Sequence, residues 1–513
     1  MGEYSFVPSQ RRKDKLVFQG FIYRHQRSRG TNHYFTCENE DCPGRAILRG
    51  VGTFNAAGGQ VETSVRHNHA KEEGREIVLK TTSSLSSSQL SSAAAPSAIV
   101  QSHREKVPLK YVQELPSEEA MRQRVRRARR KDFPSEPDSM EGIVIPERLL
   151  KTIDSEHADN NEDFLLFDTG PEDETRIICF ATRGNLERLS ASPLWMGDGT
   201  FKTSPRFFQQ IYTIHGFVDQ QCFPFVYAFI PSKTEEVYRT FLENLRSAME
   251  ERELVIRDDL TMIIDFELAM ANAIRVVLPG TLIKGCHFHL GQSVWRKIQA
   301  LGLVELYRTN YEIKQSIKMM SSGLPFLPAE DIPTAFEELK HASPQEAAQI
   351  YEYFEHTYVL GRQIQQKGKG RRRVNPLRHP PRFPPTFWSV HELQARGYVR
   401  SNNLLEGWHR RFETVVGKAH AGVYPIIHEF RKEQHRVDSE LVRYFAGKLV
   451  KKGNRRNKER EARISTLFRK LLAKSVARND FLRGMANNFM MEEDEEADPA
   501  VDDDEEHDIG VLF

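Results

Sequence analysis

Two sets of side chains in this sequence have the types and spacing to hold metal ions. The stretch MGDGTFK puts Asp198 between two glycines straight after the apolar run Leu194, Trp195 and Met196, and TMIIDFE ends a second apolar run in Asp265 and Glu267. A strand that ends in an acid delivers it to a sheet edge, and strands distant in sequence can be neighbours there. Two carboxylates brought together repel unless a cation lies between them. Hard divalent ions such as Mg²⁺ or Mn²⁺ take such oxygen ligands. With a third carboxylate, two ions about 4 Å apart would activate a water or a 3′-hydroxyl for in-line attack on a phosphodiester. The competing reading of Asp198 is a turn residue, since Asp-Gly pairs mark hairpins.

The second set lies near the start. YFTCENEDCPGRAIL followed by VRHNHA gives C-x4-C-x24-H-x-H with Cys37, Cys42, His67 and His69. Two thiolates and two imidazoles suit tetrahedral Zn²⁺, and so small a unit has a marginal core without it. Arg45, Arg49 and Arg66 would supply phosphate-facing charge around it.

The elements that must position these residues follow from the hydrophobic pattern. Strand-like runs stand at 176–181, 193–198, 207–218 and 223–231, rich in aromatic and β-branched residues. KTEEVYRTFLENLRSAMEE has Val237, Phe241, Leu245 and Met249 four apart, an amphipathic helix. A strand over 261–267, a helix over 268–278, a strand over 280–289 and a helix over 292–303 come next. Three strands, then helix, strand, helix, strand, helix predict an α/β sheet with antiparallel and parallel parts. Within it, Trp195 and Phe201 read as core. The text is mainly helical over 304–360, a Pro- and Arg-rich loop over 361–388, and helical again from 400, where Glu406 sits.

The 513 residues carry a net charge of +2, but twelve of the 71 acidic residues crowd into the tail from Met491, leaving 59 acids against 73 basic residues upstream. That remainder suits a polyanionic partner. MRQRVRRARRK, with Arg124, Arg126 and Arg127, has seven basic residues in eleven and reads as poorly amphipathic, and Arg371, Arg372 and Arg373 form another basic run. The Ser/Ala-rich text over 81–102 reads as a linker. Five cysteines in so long a chain argue against a disulfide framework and for a reducing compartment. No run of eighteen apolar residues and no signal-type start is present, so no membrane is expected.

The stretch from about 190 to 420 resembles the transposase domain of Mutator-like elements. The residues carrying the likeness are MGDGTFK, IIDFELAMANAI, GCHFHLGQSVWRKI and NNLLEGWHRRF. The resemblance implies an RNase H-like mixed sheet with a helical insertion and a D-D-E triad of Asp198, Asp265 and Glu406 binding Mg²⁺ or Mn²⁺. Cys286 and His289 match the family's Cys-x-x-His signature; two soft ligands are too few for a closed zinc site, so a supporting role is expected. The first unit resembles a FLYWCH-type zinc finger, with Phe18, Gly20, Phe21 and Tyr23 matching its opening strand and Phe35 where the family usually has Trp.

The expected organisation is a finger over 1–75, a linker over 76–105, a basic helical segment over 106–160, the transposase domain over 161–430 with its insertion about 304–395, a basic helical region over 431–490 and an acidic tail over 491–513. The expected function is metal-dependent cutting and joining of double-stranded DNA at transposon ends by a nuclear homo-oligomer, with no small-molecule substrate. The alternative is a domesticated, non-catalytic DNA-binding regulator. A third possibility is a scaffold that uses its acidic tail as a contact; the plainer reading of that tail is a solubilising end or an autoinhibitory DNA mimic.

Overall fold

The computed structural model describes residues 4–7, 14–71, 73–85, 96–153, 161–219, 221–364, 378–401, 403–417, 419–448 and 455–489. The chain divides into two compact units: Met1–Glu136 with 415–418 and 424–429, and the remainder.

The first unit opens with a six-stranded antiparallel meander, β1 (Tyr4–Val7), β2 (Lys15–Phe18), β3 (Phe21–Arg29), β4 (Asn32–Cys37), β5 (Arg45–Arg49) and β6 (Gln60–Val65), each strand paired with the next. Alternation in β4 buries His33, Phe35 and Cys37 and turns the residues between them outward. Leu16, Phe18, Tyr23, Phe35, Ala46 and Leu48 form its core. Helices α1 (Glu73–Ser84), α2 (Pro96–Arg104) and α3 (Glu118–Asp132) follow. The Ser/Ala-rich text expected to be a linker thus contributes to α1 and α2 at its ends, while 86–95 lie outside the described residues. The arginine-rich helix also differs from expectation. Met121, Val125 and Ala128 fall on one face of α3 and are buried, the first two packing with Leu85, Ile99 and Val100.

The second unit is built on a seven-stranded mixed sheet in the order β13-β12-β9-β10-β11-β8-β7. Its strands are β7 (Leu165–Asp168), β8 (Ile178–Phe180), β9 (Leu194–Thr200), β10 (Gln210–Val218), β11 (Gln221–Ile230), β12 (Thr261–Ile264) and β13 (Leu282–Gly285). β9, β10 and β11 form the antiparallel meander; β12 runs parallel to β9, and β13 parallel to β12. Helix α4 (Arg183–Ala191), capped by Thr182, separates β8 from β9. Helices α5 (Glu235–Glu250), α6 (Leu268–Val277) and α7 (His287–Ala300) follow β11, β12 and β13. α5 buries Val237, Phe241, Leu245 and Met249, as its spacing predicts. The strand expected to continue through His289 instead stops at Gly285, and α7 begins at His287. Helical sequence then runs from α8 (Val304–Thr309) through α9 (Tyr311–Lys318), α10 (Ile332–Ala342), α11 (Ala348–Phe354), α12 (Pro385–Trp388) and α13 (His391–Ala395) to α14 (Asn403–Val416), α15 (Val423–Phe445), α16 (Arg455–Leu472) and α17 (Arg478–Ala486). No helix among the described residues is long and apolar enough to cross a membrane.

Candidate metal centres

Asp198 is not in a turn. It lies inside β9, opposite Thr213 of β10, and is buried. Asp265 directly follows β12, the strand beside β9. Parallel pairing of Thr261, Met262 and Ile263 with Leu194, Trp195 and Met196 brings both acids to the same end of the sheet. Burial pushes the Asp198 carboxyl well above its ordinary value, and the negative charge of Asp265 pushes it further. Burial also works to raise Asp265, but its contact with His289 outweighs that and holds it low.

Glu406 arrives from α14. His289, in the first turn of α7, lies between it and Asp265: Nδ1 is 2.7 Å from Asp265 Oδ1, and Nε2 is 3.5 Å from Glu406 Oε1. Burial opposes the imidazolium, yet the Cys286 sulfur and the Asp265 carboxylate hold His289 up to about 12. Cys286 is fully buried at the head of α7, and its N–H donates to the Ile264 carbonyl at 2.9 Å. Asp265 and Glu406 therefore meet on one histidine and Asp198 stands beside Asp265, although the oxygens of the three acids do not all lie within 4.8 Å of one another.

Sequence reasoning missed His409. It is buried on α14 one turn beyond Glu406, with Nδ1 3.5 Å from Asp198 Oδ2. Burial pushes its imidazole down to about 4, so it stands neutral beside the acid. The spacing of Glu406 and His409, three apart on one helix, was the available signal. Glu433 of α15 was missed too; it accepts from Trp408 Nε1 at 2.7 Å and Arg411 Nη2 at 2.5 Å, fixing α14. Trp195 is core, as expected, but Phe201 is 44% exposed beyond the end of β9, with Lys233 Nζ 4.3 Å from its ring centre. His287 is buried edge-on to Phe326.

The second candidate centre lies in the meander unit. Cys37 Sγ is 3.3 Å from His69 Nε2, and Cys42 Sγ is 3.4 Å from His67 Nδ1. Tetrahedral Zn²⁺ at ordinary bond lengths sets sulfur and nitrogen about 3.6 Å apart, so the donor set fits the ion. Among the described residues, this is the group of Cys, His and carboxylate side chains whose ligand atoms all lie within 4.8 Å. Each imidazole is oriented through its other nitrogen. His67 Nε2 lies 2.7 Å from Tyr23 Oη, and His69 Nδ1 lies 2.9 Å from the Ala70 carbonyl oxygen. Phe21 stacks flat on His67 at 3.7 Å. On Gly44 a Cβ would fall 2.6 Å from the His67 ring, so only glycine lets the ring approach. Burial works to raise the Cys42 thiol, but the N–H groups of Asn68 and Gly44 outweigh it and hold the thiol low, favouring the thiolate that binds metal.

The arginines expected on DNA have varied placements. Arg45 donates from Nη1 to the Pro43 and Gly44 carbonyls at 2.9 Å, bracing the Cys42 turn. Arg49 pairs with Glu62, and Arg66 is exposed. On α3, Arg126 lies 3.3 Å from Glu119, Arg127 is exposed and Arg124 is half-buried. Arg371, Arg372 and Arg373 lie outside the described residues, as does the acidic tail.

The geometry describes a protein that pairs an acid-bearing mixed α/β domain with a small β unit built to hold zinc. Comparison with known families makes both parts specific. Residues 194–293 match the MULE transposase domain, and residues 6–69 match the FLYWCH zinc finger domain. The first match covers Asp198, Asp265, Cys286 and His289; the second ends on His69. No curated protein matches the chain.

Proposed function

We propose that this protein is a DNA transposase of the D-D-E type, with an RNase H-like catalytic domain and a zinc finger that engages double-stranded DNA in the nucleus. The observation that carries the reading is the placement of Asp198 beside Asp265, with Glu406 linked to Asp265 through His289, three acids from three separate elements. An antiparallel meander of β9–β11 extended by parallel β12 and β13 supports the RNase H-like assignment, and the two matched domains support DNA as the substrate.

Asp198 and Asp265 fit a hard divalent cation: two adjoining carboxyls, one raised by burial and further by the charge of the other, are relieved by positive charge between them. Glu406 would complete the set on giving up its His289 contact. When bound, Mg²⁺ or Mn²⁺ would polarise the scissile phosphate and lower the pKa of an attacking water. The chain's own residues orient the acids. His289 holds Asp265 and Glu406, His409 faces Asp198, and β10 fixes the height of β9. No protein nucleophile is required. Joining paired element ends would engage more than one copy of the chain.

A DNA-cleavage assay with Mg²⁺ or Mn²⁺ tests the reading: Asp198→Asn is expected to abolish strand cutting and leave DNA binding unchanged. One observation favours a second reading, a domesticated regulator without catalysis. His289 lies between Asp265 and Glu406, where its imidazolium offsets part of their charge. Tight DNA binding by the wild-type chain with no cleavage in either metal would decide for that reading.

A further inference from the structure

The second unit contains a cleft of about 590 Å³ that the acids do not account for. Its size lies within the roughly 300–1,000 Å³ usual for small-ligand sites. Phe266, Ser293, Tyr353, Arg362, His379 and Arg382 are among its walls, and no carboxylate among the described residues lines it. Aromatic faces beside cations, without acids, form the pairing that takes a base together with its phosphate.

Its place in the fold ties it to the acids. Phe266 directly follows Asp265, and Ser293 lies four residues after His289 on α7, so His289 and Ser293 share one helix face about one turn apart. The wall residues brace one another: Phe266 packs edge-on against Tyr358 at 5.6 Å and Phe383 at 5.0 Å, and Ser293 Oγ meets Tyr358 Oη at 2.8 Å, Tyr358 and Phe383 also lining the cleft. The rim is tied by the His379 N–H donating to the Arg362 carbonyl at 2.9 Å and by a bridge between Gln363 and Arg378. Arg362 and Arg382 are exposed, with the Arg382 guanidinium 5.4 Å from the Phe383 ring centre.

We propose that this cleft binds one unpaired nucleotide of a DNA strand, its base against Phe266 and Tyr353 and its phosphate on Arg362 and Arg382. The inference rests on the DNA reading above and gives the acid site a substrate feature: a base swung out of the stack close to the strand to be cut. Such a base pays its unstacking cost most easily where it has no pairing partner.

The test uses the full, zinc-loaded chain in buffer without Mg²⁺ or Mn²⁺. Duplexes of one length, either fully paired or carrying one unpaired 2-aminopurine, are titrated by anisotropy and by 2-aminopurine emission. The wild type is expected to bind the unpaired form about 10-fold more tightly, with a change in emission. The double substitution Arg362→Gln with Arg382→Gln is expected to abolish that preference and leave affinity for the paired duplex unchanged; circular dichroism confirms that it folds. Equal wild-type affinity for both duplexes, or equal weakening of both by the double substitution, overturns the proposal. Asp198→Asn should keep the preference, so lost cutting with retained preference separates failure of catalysis from failure of the cleft.

Discussion

Replacing Glu433 by Gln tests how the acid-bearing helix α14 is held. Glu433 is buried and takes hydrogen bonds from Trp408, Arg411 and Arg436. Burial works to raise its carboxyl, but the two guanidiniums outweigh that and hold it at about 2, against an ordinary 4.5. A depression of that size is equivalent to about 3 kcal/mol of folding stability. Because the folded-state value is the lower one, this stability is complete above about pH 4.5 and drains as the pH falls towards 2; about 1 kcal/mol remains at pH 3. Glu433→Gln preserves the shape and removes the charge, leaving Arg411 and Arg436 near an uncharged amide. The expected loss is about 3 kcal/mol at neutral pH, near the lower end of the range for breaking a buried ion pair. Urea unfolding followed by tryptophan emission, at pH 7, 5 and 3, measures it. The gap between wild type and variant should be constant from pH 7 to 5 and narrow at pH 3. A loss below about 1 kcal/mol at pH 7, or a gap that does not close on acidification, refutes the account.

Two further outcomes follow from the centres themselves. Without divalent ions, Asp198→Asn removes a buried carboxyl that is raised by burial and by Asp265. The midpoint of thermal unfolding should therefore rise, by about 2–4 °C for each kcal/mol relieved; an unchanged or lower midpoint in metal-free buffer contradicts the repulsion. Tyr23→Phe deletes the hydroxyl on His67 Nε2 and should weaken zinc binding about 10–100-fold, read by competition with a chelator. Equal zinc affinity in the two proteins removes Tyr23 from the site.

The strands were legible because their burial is nearly complete. Gln210–Val218 and Gln221–Ile230 read as long apolar runs since both sheet faces are covered. The metal-ligand spacing of the finger was equally plain, because two thiols and two imidazoles at short intervals have few other uses. What stayed hidden depended on long-range pairing or on weak local signals. α4 is nine residues of modest hydropathy, marked only by its Thr182 cap. The start of α7 has no side-chain cap, so GCHFH reads as strand until the helix is seen. Arginines conceal the three-residue apolar stripe of α3. No local pattern ties Trp408 to Glu433, or His409 to Asp198; packing alone makes those pairs.

The glycines flanking Asp198 have a role that a turn reading obscures. Side chains alternate along a strand, so positions 197 and 199 share one face of β9 while Asp198 occupies the other. On the glycine face, a Cβ at 197 would fall 2.4 Å from Tyr212 Oη, and one at 199 only 2.0 Å from Gln210 Oε1. Gln210 in turn donates to Tyr238 Oη at 2.7 Å, and that hydroxyl donates to Glu267 at 3.1 Å. Two residues of β10 thus lie directly against bare backbone, and the contact sets how closely β9 approaches its neighbour. Asp198, opposite Thr213, takes its height from that packing on the far side of the sheet. A charged group can sit inside this strand because its own face opens on Asp265 and His409 while the opposite face is closed by tyrosine and glutamine.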